Sequence, residues 1–311
     1  MKIEFSLSFG HDRKPSSTSF PDLSLAEAFR KTIEHSAATR SLKTVENYKT
    51  AARAFIGFAG ADMRLQQLTA AAVEGFAQRL RQHGVCPNTL SCYMRSLRSM
   101  FAQLGDKAEA EQLFNTVFTG NSKTEKRAIQ PDDIQRIRRL ELQPQSRLAQ
   151  VRDLFLFCFY AQGLPFADAV RLQWGQVADG QITYYRRKTG QRVCVALDPL
   201  MTDIAERFRK PDSQALFPCF EPKDEHDYLQ QLNGYNRSLK RLAKLAGIGC
   251  RLTSYVARHS WASMAYKASV DLPVISKALG HTNPQTTLIY VKEINDSQLA
   301  EANHRLLDSF R

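Results

Sequence analysis

Residues 278–292 read ALGHTNPQTTLIYVK, and they set the terms for the rest of the chain. Gly280 is suited to end a helix in the left-handed conformation. His281 follows at once. Asn283-Pro284 then restarts a helix, with a good cap followed by the residue favoured in a first turn. Tyr290 falls two turns later between Ile289 and Val291. A lone tyrosine in that setting reads as core packing, so its meaning depends on what the sequence places around it.

Two further stretches carry the residues that matter. LTSYVARHSWAS (252–263) contains Tyr255, Arg258 and His259, and TYYRRKTGQ (183–191) contains Lys188. In the latter, β-branched and aromatic residues flank Lys188-Thr189-Gly190-Gln191, a hairpin signature. Each residue also has a structural reading. Lys188 fits a hairpin turn, Arg258 an ion pair, His281 a helix cap, and Tyr255 a packed core. Tyr184 and Tyr185 fit sheet packing, and His259 fits buried support for Arg258.

The remainder is mostly helical. Ser24 is placed to cap a helix carrying Leu25, Ala28 and Phe29. Val45, Tyr48, Ala52, Phe55 and Ile56 share a helical face that stops at Gly60. Val73, Phe76 and Leu80 repeat the pattern up to Gly84. Leu90, Tyr93, Leu97 and Phe101 form another face, with Arg95 and Arg98 on the others. The reading is an N-terminal extension over 1–21, a helical domain over 22–118 and a polar, basic linker over 119–127. A second domain over 128–311 is mainly helical with a small antiparallel sheet. Lys123, Lys126 and Arg127 in the linker either follow a phosphate backbone or are solvated charges. LFLFCFYAQGL (154–164) is apolar all round and reads as a buried helix.

Composition narrows the function. The chain has 311 residues, 43% of them hydrophobic, and a formal net charge of +12, which favours a polyanionic partner. Six dispersed cysteines show no metal spacing and fit reduced thiols, and no apolar run is long enough to span a membrane. A cytoplasmic protein without metal or cofactor is the expectation.

Taken together, Arg258-His259, Leu279-Gly280-His281 and Tyr290 nine residues after His281 resemble the tyrosine recombinase (phage integrase) family. The KTG hairpin resembles that family's lysine loop. TVENYKT with Tyr48, and the stretch NTLSCYMRSLRSMF, resemble its helical, SAM-like core-binding domain. The resemblance implies a mixed α+β catalytic domain and strand cleavage through a 3′-phosphotyrosine on Tyr290. Lys188 would be the general acid, Arg258 and His281 would bind the scissile phosphate, and Tyr255 would stand where many members carry histidine. It also implies double-stranded DNA held between two domains, by residues such as Arg95, Arg98, Lys123, Lys126, Arg127 and Arg187. Members assemble as homotetramers on two DNA sites and are monomers or dimers off DNA. The amphipathic end (Leu299, Leu306, Phe310) docks on a neighbour or on its own domain. The short N-terminal extension suggests a simple recombinase or invertase; integration, excision and inversion are not distinguished. The absence of a large N-terminal region disfavours a type IB topoisomerase.

The chemistry is consistent on its own terms. A phenol of pKa near ~10 must be activated to attack. Guanidinium is always charged and binds two oxygens at once. Lysine can protonate a leaving oxygen within its reach.

One position departs from the pattern. The family's first catalytic arginine falls in the box Tyr160-Ala161-Gln162-Gly163-Leu164-Pro165-Phe166-Ala167-Asp168. Its two family placements hold Gln162 and Pro165. Either another arginine (Arg152, Arg171 or Arg187) reaches the phosphate, or the enzyme is slow, or the protein binds DNA without cutting it. On this reading alone, Gln162→Arg raises cleavage.

Overall fold

The computed structural model describes residues 20–122, 128–283, 285–288 and 307–308. Two compact units divide the chain, Met1–Thr124 and Glu125–Arg311.

The first unit is all helix: α1 (Leu25–Thr39), α2 (Leu42–Ala59), α3 (Ala70–Gln82), α4 (Pro87–Leu104) and α5 (Lys107–Leu113). Ser24 caps α1 in a reciprocal capping box with Glu27, and Gly60 ends α2 at φ +94°. The apolar faces meet in an aromatic cluster. Phe55 lies 5.1 Å from Phe76 and 6.4 Å from Phe101, both edge to face, the favoured geometry for ring quadrupoles. Tyr48 is buried, and its hydroxyl is 2.6 Å from Ser99 Oγ on α4. Residues 120 and 122, read from sequence as the start of a linker, are hydrogen-bonded to α4. Ser91 donates to the Gly120 carbonyl at 2.6 Å, and Asn88 exchanges two bonds with the Ser122 backbone.

The second unit opens with α6 (Pro131–Arg138), α7 (Arg147–Tyr160) and α8 (Phe166–Ala169). A three-stranded antiparallel sheet follows, in the order β1 (Val177–Ala178), β2 (Gln181–Tyr185), β3 (Arg192–Ala196). Then come α9 (Pro199–Phe208), α10 (Glu225–Leu245), α11 (Val256–Lys267), α12 (Leu272–Ala278) and α13 (Gln285–Leu288). The apolar C-terminal half of α7 buries Leu154 through Cys158, and the helix packs against α6, α9, α10 and α11. Stacking of Phe166 on Tyr235, with ring centroids 4.5 Å apart, fixes α8 to α10.

The sheet follows strand parity. Ile182 and Tyr184 point into the core opposite Val195 and Val193, while Tyr185 faces out and is 68% exposed. Among the described residues, no helix is long and apolar enough to cross a membrane.

Candidate active site

Four segments converge around Arg258. The helix α11 carries it, and the side chain is only 2% exposed. Its Nη1 donates to the Gly163 carbonyl at 3.0 Å, and its Nη2 donates to the Leu279 carbonyl at 2.5 Å. The same Nη2 lies 3.1 Å from Nε2 of His281. The guanidinium therefore ties the 160–168 turn to the end of α12.

The first acceptor sits on unusual backbone. Gln162 and Gly163 are consecutive left-handed residues, at φ +57° and +72°. The glycine is required for a second reason: a Cβ there would stand 2.9 Å from Arg258 Cα. Pro165 then opens α8, and its carbonyl accepts from the Asp168 and Ala169 amides. Gln162 itself is half-buried.

At the end of α12 the chain turns through a Schellman motif. His281 N–H donates to Ser276 and Gly280 N–H to Lys277, with Gly280 at φ +61°. This places His281 beside Arg258. A guanidinium only donates, so His281 Nε2 accepts, and Nδ1–H is left to donate to Thr287 Oγ1 at 2.9 Å. Desolvation, then the charges of Arg258, Arg186 and Lys188, lower the His281 pKa from 6.5 to about 4. Because the folded value lies below the unfolded one, His281 is neutral at pH 7 and the fold loses stability as pH falls from 6.5 towards 4. The His281 imidazole proton resonances of the free protein should titrate with a midpoint near 4. A midpoint near that of a solvated histidine means that the imidazole is not held among these cations.

The hairpin is fastened to the same place. Arg186, first residue of the β2–β3 loop, continues the buried face of Ile182 and Tyr184 and is 5% exposed. Its Nη1 donates to the Leu279 carbonyl at 2.6 Å, and its Nε pairs with Asp168 Oδ2 at 2.8 Å. Thr189 Oγ1 donates to the Gly280 carbonyl at 3.0 Å, and the Arg187 amide donates to Asp168 Oδ1 at 3.0 Å. Gly280 has to be glycine for this docking, since a Cβ would meet Arg186 Cγ at 2.7 Å and Val193 Cγ2 at 2.9 Å. Lys188 is exposed at the tip of this anchored loop.

Other expected residues fall differently. Tyr255 is 46% exposed at the N-terminus of α11, its ring centroid 5.2 Å from that of His259. Arg187 pairs with Glu225 at 2.8 Å, and Arg171 reaches the same carboxylate at 3.3 Å while lying over the Tyr228 ring. Arg152 bonds Asp153 and the Leu140 carbonyl. Arg95 is exposed on α4 and Arg98 half-buried. Tyr290, Lys123, Lys126, Arg127, Leu299, Leu306 and Phe310 lie outside the described residues. Arg186 and Asp168 were not among the site residues read from the sequence. Strand parity (Ile182, Tyr184, Arg186) was the available signal for the first. Among the described residues, no cluster of three or more His, Cys, Asp or Glu is placed to hold a metal ion.

The same arrangement of segments occurs in known proteins. The chain is 24% identical over 234 residues to the tyrosine recombinase XerA of Pyrococcus furiosus, covering 74% of this chain and 78% of that one. It is 25% identical over 274 residues to XerA of Thermococcus onnurineus, covering 86% and 92%. In fold it matches a lambda integrase dimer bound to a COC′ core site, with TM-score 0.68, 15% identity and coverage of 88% and 100%. It likewise matches the Tn1549 transposon integrase in complex with transposon right end DNA, with TM-score 0.65, 13% identity and coverage of 92% and 100%. Residues 24–104 match the phage integrase SAM-like domain, and residues 127–296 match the phage integrase family model, so this chain belongs to the phage integrase family of tyrosine recombinases.

Proposed function

We propose that this protein is a site-specific recombinase that cuts and rejoins double-stranded DNA through a 3′-phosphotyrosyl intermediate on Tyr290. In cleavage the Tyr290 Oη–P bond forms as the P–O5′ bond breaks. The phenol proton leaves to water, and Lys188 gives its ammonium proton to the departing 5′ oxygen. Rejoining is the reverse and conserves the bond energy, so it needs no nucleotide cofactor. Arg258 stabilises the charge on the non-bridging oxygens, and His281 hydrogen-bonds the same group once its ring N–H is turned from Thr287 to the phosphate. The expected partner is duplex DNA, contacted in part by Arg95 and Arg98, with a tetramer assembled on two sites in the cytoplasm. A tetramer bound to a Holliday junction is described for lambda integrase, a protein of the same fold.

The observation that supports this reading best is the junction at Arg258. One buried guanidinium is held by two carbonyls and His281, with the Lys188 loop fastened alongside. Two of its contacts are backbone carbonyls, which hold a guanidinium fork in a fixed orientation suited to receiving an anion.

A second reading, a DNA-binding protein on a recombinase scaffold, is favoured by the uncharged Gln162 and by Pro165 at the family's arginine placements. One experiment separates the two. The purified protein is incubated with nicked, fragmented genomic DNA of the organism that encodes it, then denatured in detergent. The recombinase leaves DNA attached by its 3′ end, enriched at a few loci and with free 5′-hydroxyl partners. DNA that is retained before denaturation and entirely lost after it supports the second reading and defeats the first.

A further inference from the structure

We propose that Arg186 provides the second guanidinium of the phosphate site, supplying the positive charge that Gln162 does not. The inference rests on the recombinase reading above and names a residue for it.

The geometry carries the argument. Arg186 and Arg258 come from different segments, yet both donate to one oxygen, the Leu279 carbonyl, from 2.6 and 2.5 Å. Two guanidinium groups are thereby held side by side next to His281. They are also buried to nearly the same degree, 5% and 2% exposed. Forcing two like charges into one desolvated place is unfavourable unless an anion joins them. Asp168, 2.8 Å from Arg186 Nε, offsets one charge. Lys188 adds another cation, close enough to act on His281 together with both arginines. The balance over Arg186, Arg258, Lys188 and Asp168 remains positive, which suits a phosphodiester.

Arg186 has donors to spare. Asp168 and Leu279 account for Nε and Nη1, and Nη2 has no protein partner among the described residues. The three arginines that the sequence suggested as substitutes are otherwise engaged. Arg152 is held by Asp153 and Leu140, while Arg171 and Arg187 share Glu225. Gln162 is the residue before Gly163, whose carbonyl holds Arg258, so an arginine there would enter the same neighbourhood.

The alternative is that Arg186 only fastens the hairpin to Asp168. A substrate that lacks the charge distinguishes the two roles. The DNA sequence captured by the wild-type protein is built as a nicked duplex with either an ordinary scissile phosphate or a neutral methylphosphonate in its place. Arg186→Gln should slow adduct formation on the phosphate by about a hundredfold or more. On the methylphosphonate it should stay within about tenfold of wild type, because there is less charge to neutralise. Gln162→Arg should recover about tenfold or more of the loss in the Arg186→Gln chain, and change the wild type by less than about threefold.

Equal losses on both duplexes mean that Arg186 is structural and overturn the proposal, as does a loss of less than about threefold on the phosphate. Should Arg186→Gln fail to melt cooperatively, Arg186→Lys replaces it. Lysine keeps the pairing with Asp168 but not the fork, so its loss should be confined to the phosphate duplex; a loss shared by both duplexes again overturns the proposal. A wild-type chain that makes no adduct on either duplex defeats the recombinase reading itself, whereas adducts unaffected by Arg186→Gln defeat only the role of Arg186.

Discussion

Tyr290→Phe should abolish the denaturant-stable DNA adduct, lowering its formation by more than about 10⁴-fold, while DNA binding changes by less than about fivefold. The substitution removes one oxygen. A single hydroxyl contributes about 1 kcal/mol to a bound state, so little affinity depends on it. Covalent attachment depends on it entirely, because phenylalanine has no lone pair to offer phosphorus. The rival tyrosines serve as controls. Tyr184 is buried under the sheet, where desolvation and then the Asp168 charge push its hydroxyl well above the ordinary phenol range, so it is hard to ionise. Tyr185 and Tyr255 are 68% and 46% exposed and are the accessible alternatives. Adduct formation that survives Tyr290→Phe and disappears in Tyr185→Phe or Tyr255→Phe would reassign the nucleophile.

Local signals brought the reading a long way. The capping box at Ser24, the stop at Gly60, the buried run of α7 and the turn at Gly280 are each decided by a few neighbouring residues, and those residues are visible in the chain. Arg258 and His281 came instead from the resemblance carried by Arg258-His259 and Leu279-Gly280-His281, and the two side chains lie 3.1 Å apart. The missing part is long-range. Thr189 meets Gly280 and Arg186 meets Leu279 across more than ninety residues of sequence, and no local pattern announces such a contact. The tandem Arg186-Arg187 shows the difficulty in one dipeptide. The sequence reading chose Arg187, the residue nearer Lys188. Parity of β2 instead turns Arg186 inward onto Asp168 and leaves Arg187 outside, against Glu225. Parity is dependable within a strand and uncertain at its end, and this dipeptide begins where β2 stops. Arg152 is engaged in another way, by its acidic neighbour Asp153, which is buried between Arg152 and Arg207.

Arg258→Lys should reduce adduct formation by about 10²–10³-fold, although it keeps the charge. The wild-type guanidinium spans three acceptors at once: Gly163 O at 3.0 Å, Leu279 O at 2.5 Å and His281 Nε2 at 3.1 Å. An ammonium is a compact point charge and cannot bridge the 160–168 turn and the end of α12 in this way. If one carbonyl loses its donor in this buried place, the cost is about 1–3 kcal/mol, so the urea midpoint should fall as well. The two effects have separable causes. If the loss of activity came only from global destabilisation, measuring at lower temperature or with stabilising osmolyte would restore the rate. If it comes from the fork, the rate stays low in a fully folded chain, and a methylphosphonate duplex, which asks less of the cation, narrows the gap between lysine and arginine. A lysine variant within about fivefold of wild type on the ordinary phosphate would show that charge alone suffices. The bidentate frame that joins Gly163, Leu279 and His281 would then be a feature of folding and not of the reaction.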